Sequence, residues 1–142
     1  MDAARARAVL VSSGRRLDAL GFAPATDGNV SARLGTDRFL LTPAGKEKGS
    51  LAPEGLIVVD LEGNVVEGEG RPSTEAPMHL VCYRRRGEVG SVVHAHPPFA
   101  TAFDWVLAKS ASSFARSSLR AARRFVSSGA FAFFDSTPML CL

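Results

Sequence analysis

The sequence predicts an α/β domain with a largely antiparallel central sheet and helices packed on it. Pairs of short apolar segments joined by turn residues predict β-hairpins. Apolar residues at helical spacing flank these hairpins and predict helices. The chain has 142 residues, of which 46% are hydrophobic and 22% charged. This size and composition fit one globular domain with a buried core.

The first predicted element is an amphipathic helix. Val9, Leu10, Leu17 and Leu20 recur at roughly helical spacing among charged residues. Gly21 follows where the C-cap of such a helix is expected. The sequence therefore predicts a helix that ends near residue 20.

Two hairpins follow. The first pairs segments 29–34 and 38–42 around a Gly-Thr-Asp turn, and the second pairs 56–60 and 64–66 around Leu-Glu-Gly. Consecutive hairpins imply antiparallel pairing. The central sheet is therefore expected to be largely antiparallel.

A second helix and a final strand complete this region. Ser73 or Thr74 can cap a helix that has Pro77 in its first turn and runs to about Arg86. The segment 90–96 then has the composition of a buried strand. The predicted order is thus helix, hairpins, helix and strand.

The sequence divides into an N-terminal portion, residues 1–103, and an atypical tail, residues 104–142. The tail holds eight serines and five phenylalanines. Its segment 114–126 could form a basic amphipathic helix, and 130–134 is prone to aggregation if exposed. No residue of the tail indicates chemistry.

The net charge of +3 comes wholly from this tail. The N-terminal portion has 12 basic and 12 acidic residues, whereas the tail has five basic and two acidic ones. No aromatic or glycine-rich RNA-binding motif accompanies the arginines, which argues against nucleic-acid binding.

No apolar run approaches the roughly 20 residues of a membrane span, and the first residues lack a signal-peptide pattern. We therefore expect a cytoplasmic protein without a membrane partner. Cys82 and Cys141 are far apart and form no C-x-x-C motif, so both are expected to be reduced.

The most informative short motif is His94-Ala95-His96. Residues i and i+2 of a strand point to the same face, so both imidazoles can reach one metal ion, for which zinc is the natural choice. Two polar histidines at a strand end would give the same pattern. The surrounding motifs decide between these interpretations.

Five motifs occur in a fixed order between residues 28 and 97. They are Gly-Asn-Val-Ser at 28–31, Leu-Thr-Pro-Ala-Gly at 41–45, Arg-Pro-Ser-Thr-Glu at 71–75, Met-His at 78–79 and Val-Val-His-Ala-His-Pro at 92–97. Together they resemble the signatures of the class II aldolase/adducin family. The resemblance spans residues 3–103, about three-quarters of the chain.

The resemblance implies a zinc-dependent lyase that cleaves a phosphorylated ketose to a dihydroxyacetone phosphate-type product and an aldehyde. It makes His94 and His96 ligands of Zn²⁺ and Glu75 the catalytic acid/base that also approaches the metal. A divalent metal stabilises the enediolate of such a cleavage as a Lewis acid. Without the motifs, Glu75 would be read as a solvent-facing residue of the first helical turn.

The resemblance also implies a phosphate site. Its members would be Asn29, the backbone N–H groups around Ala44 and Gly45, and the hydroxyls of Ser73 and Thr74. Such neutral donors can bind an anion without a lysine. Ala44 stands where the family pattern usually has serine, so one hydroxyl donor is absent.

A third histidine ligand is not found. The chain has only His79, His94 and His96, and His79 is expected either to orient Glu75 or to pack in the core. A catalytic zinc commonly has three protein ligands, so we expect little or no activity from this chain alone. Truncation or a frameshift near residues 103–105 would explain the abrupt change of composition.

Other functions remain open at this stage. The family includes epimerases, dehydratases and decarboxylases that share the zinc site. A non-catalytic, adducin-like interaction module is an alternative, favoured by the absent third histidine and opposed by His94, His96 and Glu75. The resemblance also implies a homotetramer if the fold is complete.

Overall fold

The computed structural model describes residues 2–102, 131–134 and 137–141. The predicted helix over 114–126 lies outside these residues. The backbone of residues 131–134 forms a strand. The side chains of segment 130–134, on whose exposure its predicted aggregation depends, lie outside the described part of the structure. No helix within the described residues is long and apolar enough to cross a membrane.

The described fold contains the α-helices α1 (Ala3–Ala19) and α2 (Ala76–Arg85), one short 3-10 helix (Pro53–Gly55) and seven strands. Residues 98–102 are also helical. The strands are β1 (Asn29–Arg33), β2 (Phe39–Leu41), β3 (Ile57–Val59), β4 (Val65–Glu67), β5 (Ser91–His94), β6 (Phe131–Phe134) and β7 (Thr137–Cys141).

The strands form one sheet in the order β4-β3-β2-β1-β5-β7-β6. Every neighbouring pair is antiparallel except β5 and β7, which are parallel. The predicted fold class, a largely antiparallel sheet with packed helices, is therefore confirmed. Strand β1 lies at the centre of the sheet, with β2 on one side and β5 on the other.

Helices α1 and α2 cover opposite faces of this sheet. Alternate strand residues point to opposite faces, so Leu40 and Val58 pack with α1 while Phe39 and Val59 pack with α2. Both faces are thus buried, which explains why the short strands Phe-Leu-Leu and Ile-Val-Val have no polar positions. The packing of these three layers fixes the position of the strand ends where β1 begins and β5 ends.

The structure corrects two details of the prediction. Helix α2 begins at Ala76 with Glu75 at its N-cap, so neither Ser73 nor Thr74 is the capping residue. Strand β5 ends at His94, two residues before the predicted end. The His96 N–H donates to the Phe22 carbonyl, so it does not take part in the pairing of the strands.

A candidate metal and anion site

The site lies where β1 begins and β5 ends. These antiparallel strands pair Asn29 with His94, so the two side chains start from adjacent positions. Gly28 precedes Asn29 with a φ of 66°, and a Cβ there would lie 2.8 Å from the His94 carbonyl oxygen. Glycine is therefore required for the loop to approach β5 this closely.

Glu75, His94 and His96 form a cluster with metal-ligand chemistry. One ligand atom from each lies within 4.8 Å of the others. The Glu75 Oε2 atom is 2.9 Å from His94 Nδ1, and the two imidazole centroids are 4.6 Å apart. His96 has left the strand, but its ring remains beside that of His94.

The donor types in this cluster are those that zinc accepts. Zinc binds nitrogen and oxygen ligands at about 2.0–2.2 Å, which places ligand atoms roughly 3–4 Å from each other. Two histidines and one glutamate are a donor set that zinc enzymes use. Glu75 thus offers a possible third ligand atom near the two histidines.

Glu75 is held as a carboxylate. Burial alone would raise its pKa, but the hydrogen bond from Asn29 and the neighbouring His94 outweigh burial, so the Glu75 pKa is lowered. The Asn29 Nδ2 atom donates to Glu75 Oε2 at 2.5 Å and to Ser73 Oγ at 3.2 Å. A carboxylate at neutral pH can accept a proton from a bound ligand.

A pocket of about 460 Å³ opens beside this cluster. Segments 26–29, 43–45 and 71–75 line it together with Lys48 and His96. Every residue predicted for phosphate binding is among the lining residues: Asn29, Ala44, Gly45, Ser73 and Thr74. Residues from three separate segments therefore meet at one cavity.

The residues predicted to bind the anion differ in the hydrogen-bond donors that they offer. Both N–H groups of the Asn29 amide are used by Ser73 and Glu75. The Ala44 N–H donates to the Arg71 carbonyl at 3.0 Å. Gly45 has a φ of 67° and open space around its Cα, and its N–H forms no turn or loop hydrogen bond within the described backbone.

Ser73 keeps a proton to donate. Its Oγ accepts from Asn29 Nδ2 and from the Glu75 N–H, the latter at 3.1 Å. A hydroxyl has one O–H donor besides its acceptor sites, so the Ser73 O–H is available to an anion. Gly45 and Ser73 are therefore the better donors of the predicted set.

Two cationic residues of the pocket, Lys48 and Arg71, were not predicted as site residues. Lys48 lies three residues after the Leu-Thr-Pro-Ala-Gly segment, and Arg71 is the first residue of Arg-Pro-Ser-Thr-Glu. Sequence reasoning assigned the anion site to neutral donors and gave Lys48 no role. Arg71 could have been identified because it begins a motif, whereas nothing in the sequence indicated that Lys48 is buried at the pocket.

His79 lies below the site on α2. It is 1% exposed, and its Nδ1 is 2.7 Å from Ser31 Oγ, which is also 2.7 Å from the Tyr83 hydroxyl. Burial and the nearby His94 lower the His79 pKa to about 4, against an opposing effect of Glu75. His79 is therefore a neutral core histidine at pH 7, which is one of the two roles expected for it, and Tyr83 is also buried.

Comparison with known proteins identifies the family. The sequence profile of the Class II Aldolase and Adducin N-terminal domain matches residues 8–133. The chain belongs to the class II aldolase and adducin family. The match continues past residue 103, where the predicted N-terminal portion ends.

Relatives of this class II aldolase family chain include two methylthioribulose-1-phosphate dehydratases. The protein from Methylococcus capsulatus is 44% identical over 94 residues, covering 66% of this chain and 46% of the relative. The protein from Pseudomonas syringae pv. syringae is 42% identical over 92 residues, covering 65% and 45%. The chain spans about half the length of the curated relatives it matches.

Solved structures of the same family are similar in fold. The Klebsiella pneumoniae protein YgbL, a putative aldolase/epimerase/decarboxylase, has a TM-score of 0.67 and 32% identity, covering 72% of this chain and 49% of that one. The L-fuculose-1-phosphate aldolase from Thermus thermophilus has a TM-score of 0.63 and 40% identity, covering 73% and 52%.

Proposed function

We propose that this chain carries the metal and substrate site of a zinc-dependent lyase that acts on a phosphorylated ketose. The observation that carries the proposal is the Glu75, His94 and His96 cluster at one side of a pocket that also presents anion donors. When bound, zinc would stabilise negative charge that develops on the ketose oxygens.

The reaction we favour is the elimination of water. It removes a proton from the carbon beside the ketone and releases the hydroxyl of the next carbon as water. In this proposal the Glu75 carboxylate, whose pKa is lowered, accepts that proton and returns one to the leaving oxygen. Relatives at 44% and 42% identity are dehydratases of a ketose phosphate, which supports this choice.

Aldol cleavage is the second candidate. It takes the proton from the hydroxyl on the second carbon from the ketone carbon. The bond between this hydroxyl-bearing carbon and the carbon beside the ketone then breaks. Glu75 could accept this proton as well. The L-fuculose-1-phosphate aldolase at 40% identity supports this alternative. The products separate the candidates, since only cleavage releases an aldehyde fragment.

The test is single-turnover conversion with the protein and zinc in excess over substrate. Methylthioribulose 1-phosphate and fuculose 1-phosphate are compared, and products are identified by mass spectrometry. We expect slow dehydration, because only the two imidazoles would remain on the zinc while Glu75 accepts the proton, and catalytic zinc commonly has three protein ligands. Glu75→Gln should lower the rate by about 100-fold or more.

Glu54→Gln provides the matched control, because Glu54 lies on the 3-10 helix, away from the pocket. The control should keep the wild-type rate. Absence of any product from zinc-loaded wild-type protein would contradict the catalytic proposal and favour a non-catalytic interaction module.

A further inference from the structure

The Lys48 side chain is buried beside the anion donors of the pocket. Lys48 is 1% exposed, although lysine is among the residues least often fully buried. Helix α1 covers its backbone at Gly14, where a Cβ would lie 3.0 Å from the Lys48 carbonyl oxygen and 3.3 Å from the Lys48 Cβ. The packing therefore fixes the lysine in place.

Lys48 joins the two loops that line the pocket. Its Nζ donates to the Thr26 carbonyl at 2.8 Å and to the Lys46 carbonyl at 2.7 Å. An ammonium has three N–H donors, so one remains after these two bonds. The first loop leads into Asn29 and the second contains Gly45, so the ammonium lies between the segments that would contact an anion.

The charge of this ammonium has no direct partner. Among residues 2–102, no carboxylate oxygen lies within 4.0 Å of Lys48 Nζ. Burial lowers the pKa of Lys48, while the more distant Asp27 and Glu75 act in the opposite direction. A buried charge without a counter-ion is costly, and a bound anion would offset that cost.

We propose that Lys48 is the specificity-determining residue for the phosphate group, because it holds a fixed positive charge and one free N–H between the two pocket loops. The inference rests on the proposed function insofar as that function names a phosphorylated substrate. It goes beyond the neutral donor set, since it makes recognition of the anion depend on charge. A ligand without a phosphate would leave this charge unmatched.

The test measures binding of inorganic phosphate to the full 142-residue chain by isothermal titration calorimetry near pH 7.5. Lys48→Met removes the charge and keeps an unbranched apolar stem. We expect phosphate to bind at least about tenfold more weakly to this variant, because a hydrogen bond to a charged group is lost. Arg15→Met is the control, since it removes one positive charge from the exposed face of α1.

The variants and the wild type give decisive outcomes. Weaker phosphate binding to Lys48→Met, with unchanged binding to Arg15→Met, supports the proposal. Equal binding to both variants, or no phosphate binding to the wild type, overturns it. Phosphate binding that depends on Lys48 without turnover of any sugar phosphate would contradict the proposed reaction and leave this inference standing.

A second measurement does not depend on the stability of the variant. The ammonium resonance of Lys48 in the ¹⁵N-labelled wild-type protein is followed during a phosphate titration. We expect a shift that saturates with the same dissociation constant as calorimetry. A Lys48 signal that stays unchanged while phosphate binds would place the anion elsewhere and refute the proposal.

Discussion

Acidification is expected to destabilise the fold through His79. Its pKa is lowered from 6.5 to about 4, mainly by burial and further by His94. Between these pH values the unfolded chain binds a proton that the folded chain excludes. The free energy of unfolding therefore has its full value above about pH 6.5 and decreases as the pH is lowered to about 4. A shift of this size corresponds to roughly 3 kcal/mol.

Urea denaturation at pH 7 and pH 4, with EDTA present to remove metal, measures this loss. His79→Gln keeps a side chain that can bond to Ser31 but cannot be protonated. Between pH 7 and pH 4 the free energy of unfolding should decrease in both proteins. We expect the decrease in His79→Gln to be smaller than that in the wild type by roughly 2–3 kcal/mol. His96→Gln, which removes a less buried histidine, serves as the control. An equal loss in His79→Gln and the wild type would refute the reasoning.

Three further predictions concern the site and its support. His94→Gln should weaken zinc binding at least about tenfold in competition with a chelating dye, because one ligand is lost. Asn29→Ala should raise the pKa of Glu75 in a carboxyl NMR titration, because a hydrogen bond that lowers it is removed. Gly14→Ala should destabilise the chain by about 1–3 kcal/mol in urea, because its Cβ would crowd the Lys48 carbonyl.

The strand pattern and the turns were sufficient to predict the fold class. Short apolar segments separated by turn residues predicted two hairpins, and both are present. The buried face of α1 was harder to predict. Val9 and Leu20 are 42% and 51% exposed, whereas Gly14 is buried against Lys48. A glycine gives no apolar signal, so periodicity could not identify this contact.

The sequence also predicted some features of the candidate site and missed others. The order of motifs predicted which residues would gather, since Glu75, His94 and His96 are drawn from two of them. The ends of elements were less predictable. His96 leaves β5 because its N–H bonds to Phe22, a residue far away in the sequence. Local patterns cannot reveal such a contact.

Lys48 could not be assigned from the sequence because its burial depends on α1 and on two loops. A lysine between polar residues is usually solvated. Here its Nζ bonds to carbonyls of Thr26 and Lys46 while Gly14 covers its backbone. The positive charge of the pocket is therefore a product of tertiary packing.

Asn29 connects the metal side of the pocket with the anion side. Its amide donates to both Glu75 and Ser73, so neither N–H is free for a phosphate. The buried Oδ1 atom has no hydrogen-bond partner within the described residues, and as an acceptor it would be unfavourable beside an anion. Asn29 therefore acts best by orienting its neighbours: it holds the Glu75 carboxylate beside the histidines and donates to Ser73 Oγ, whose own O–H remains available. In the proposed site, an anion would then be contacted by Ser73, Gly45 and Lys48.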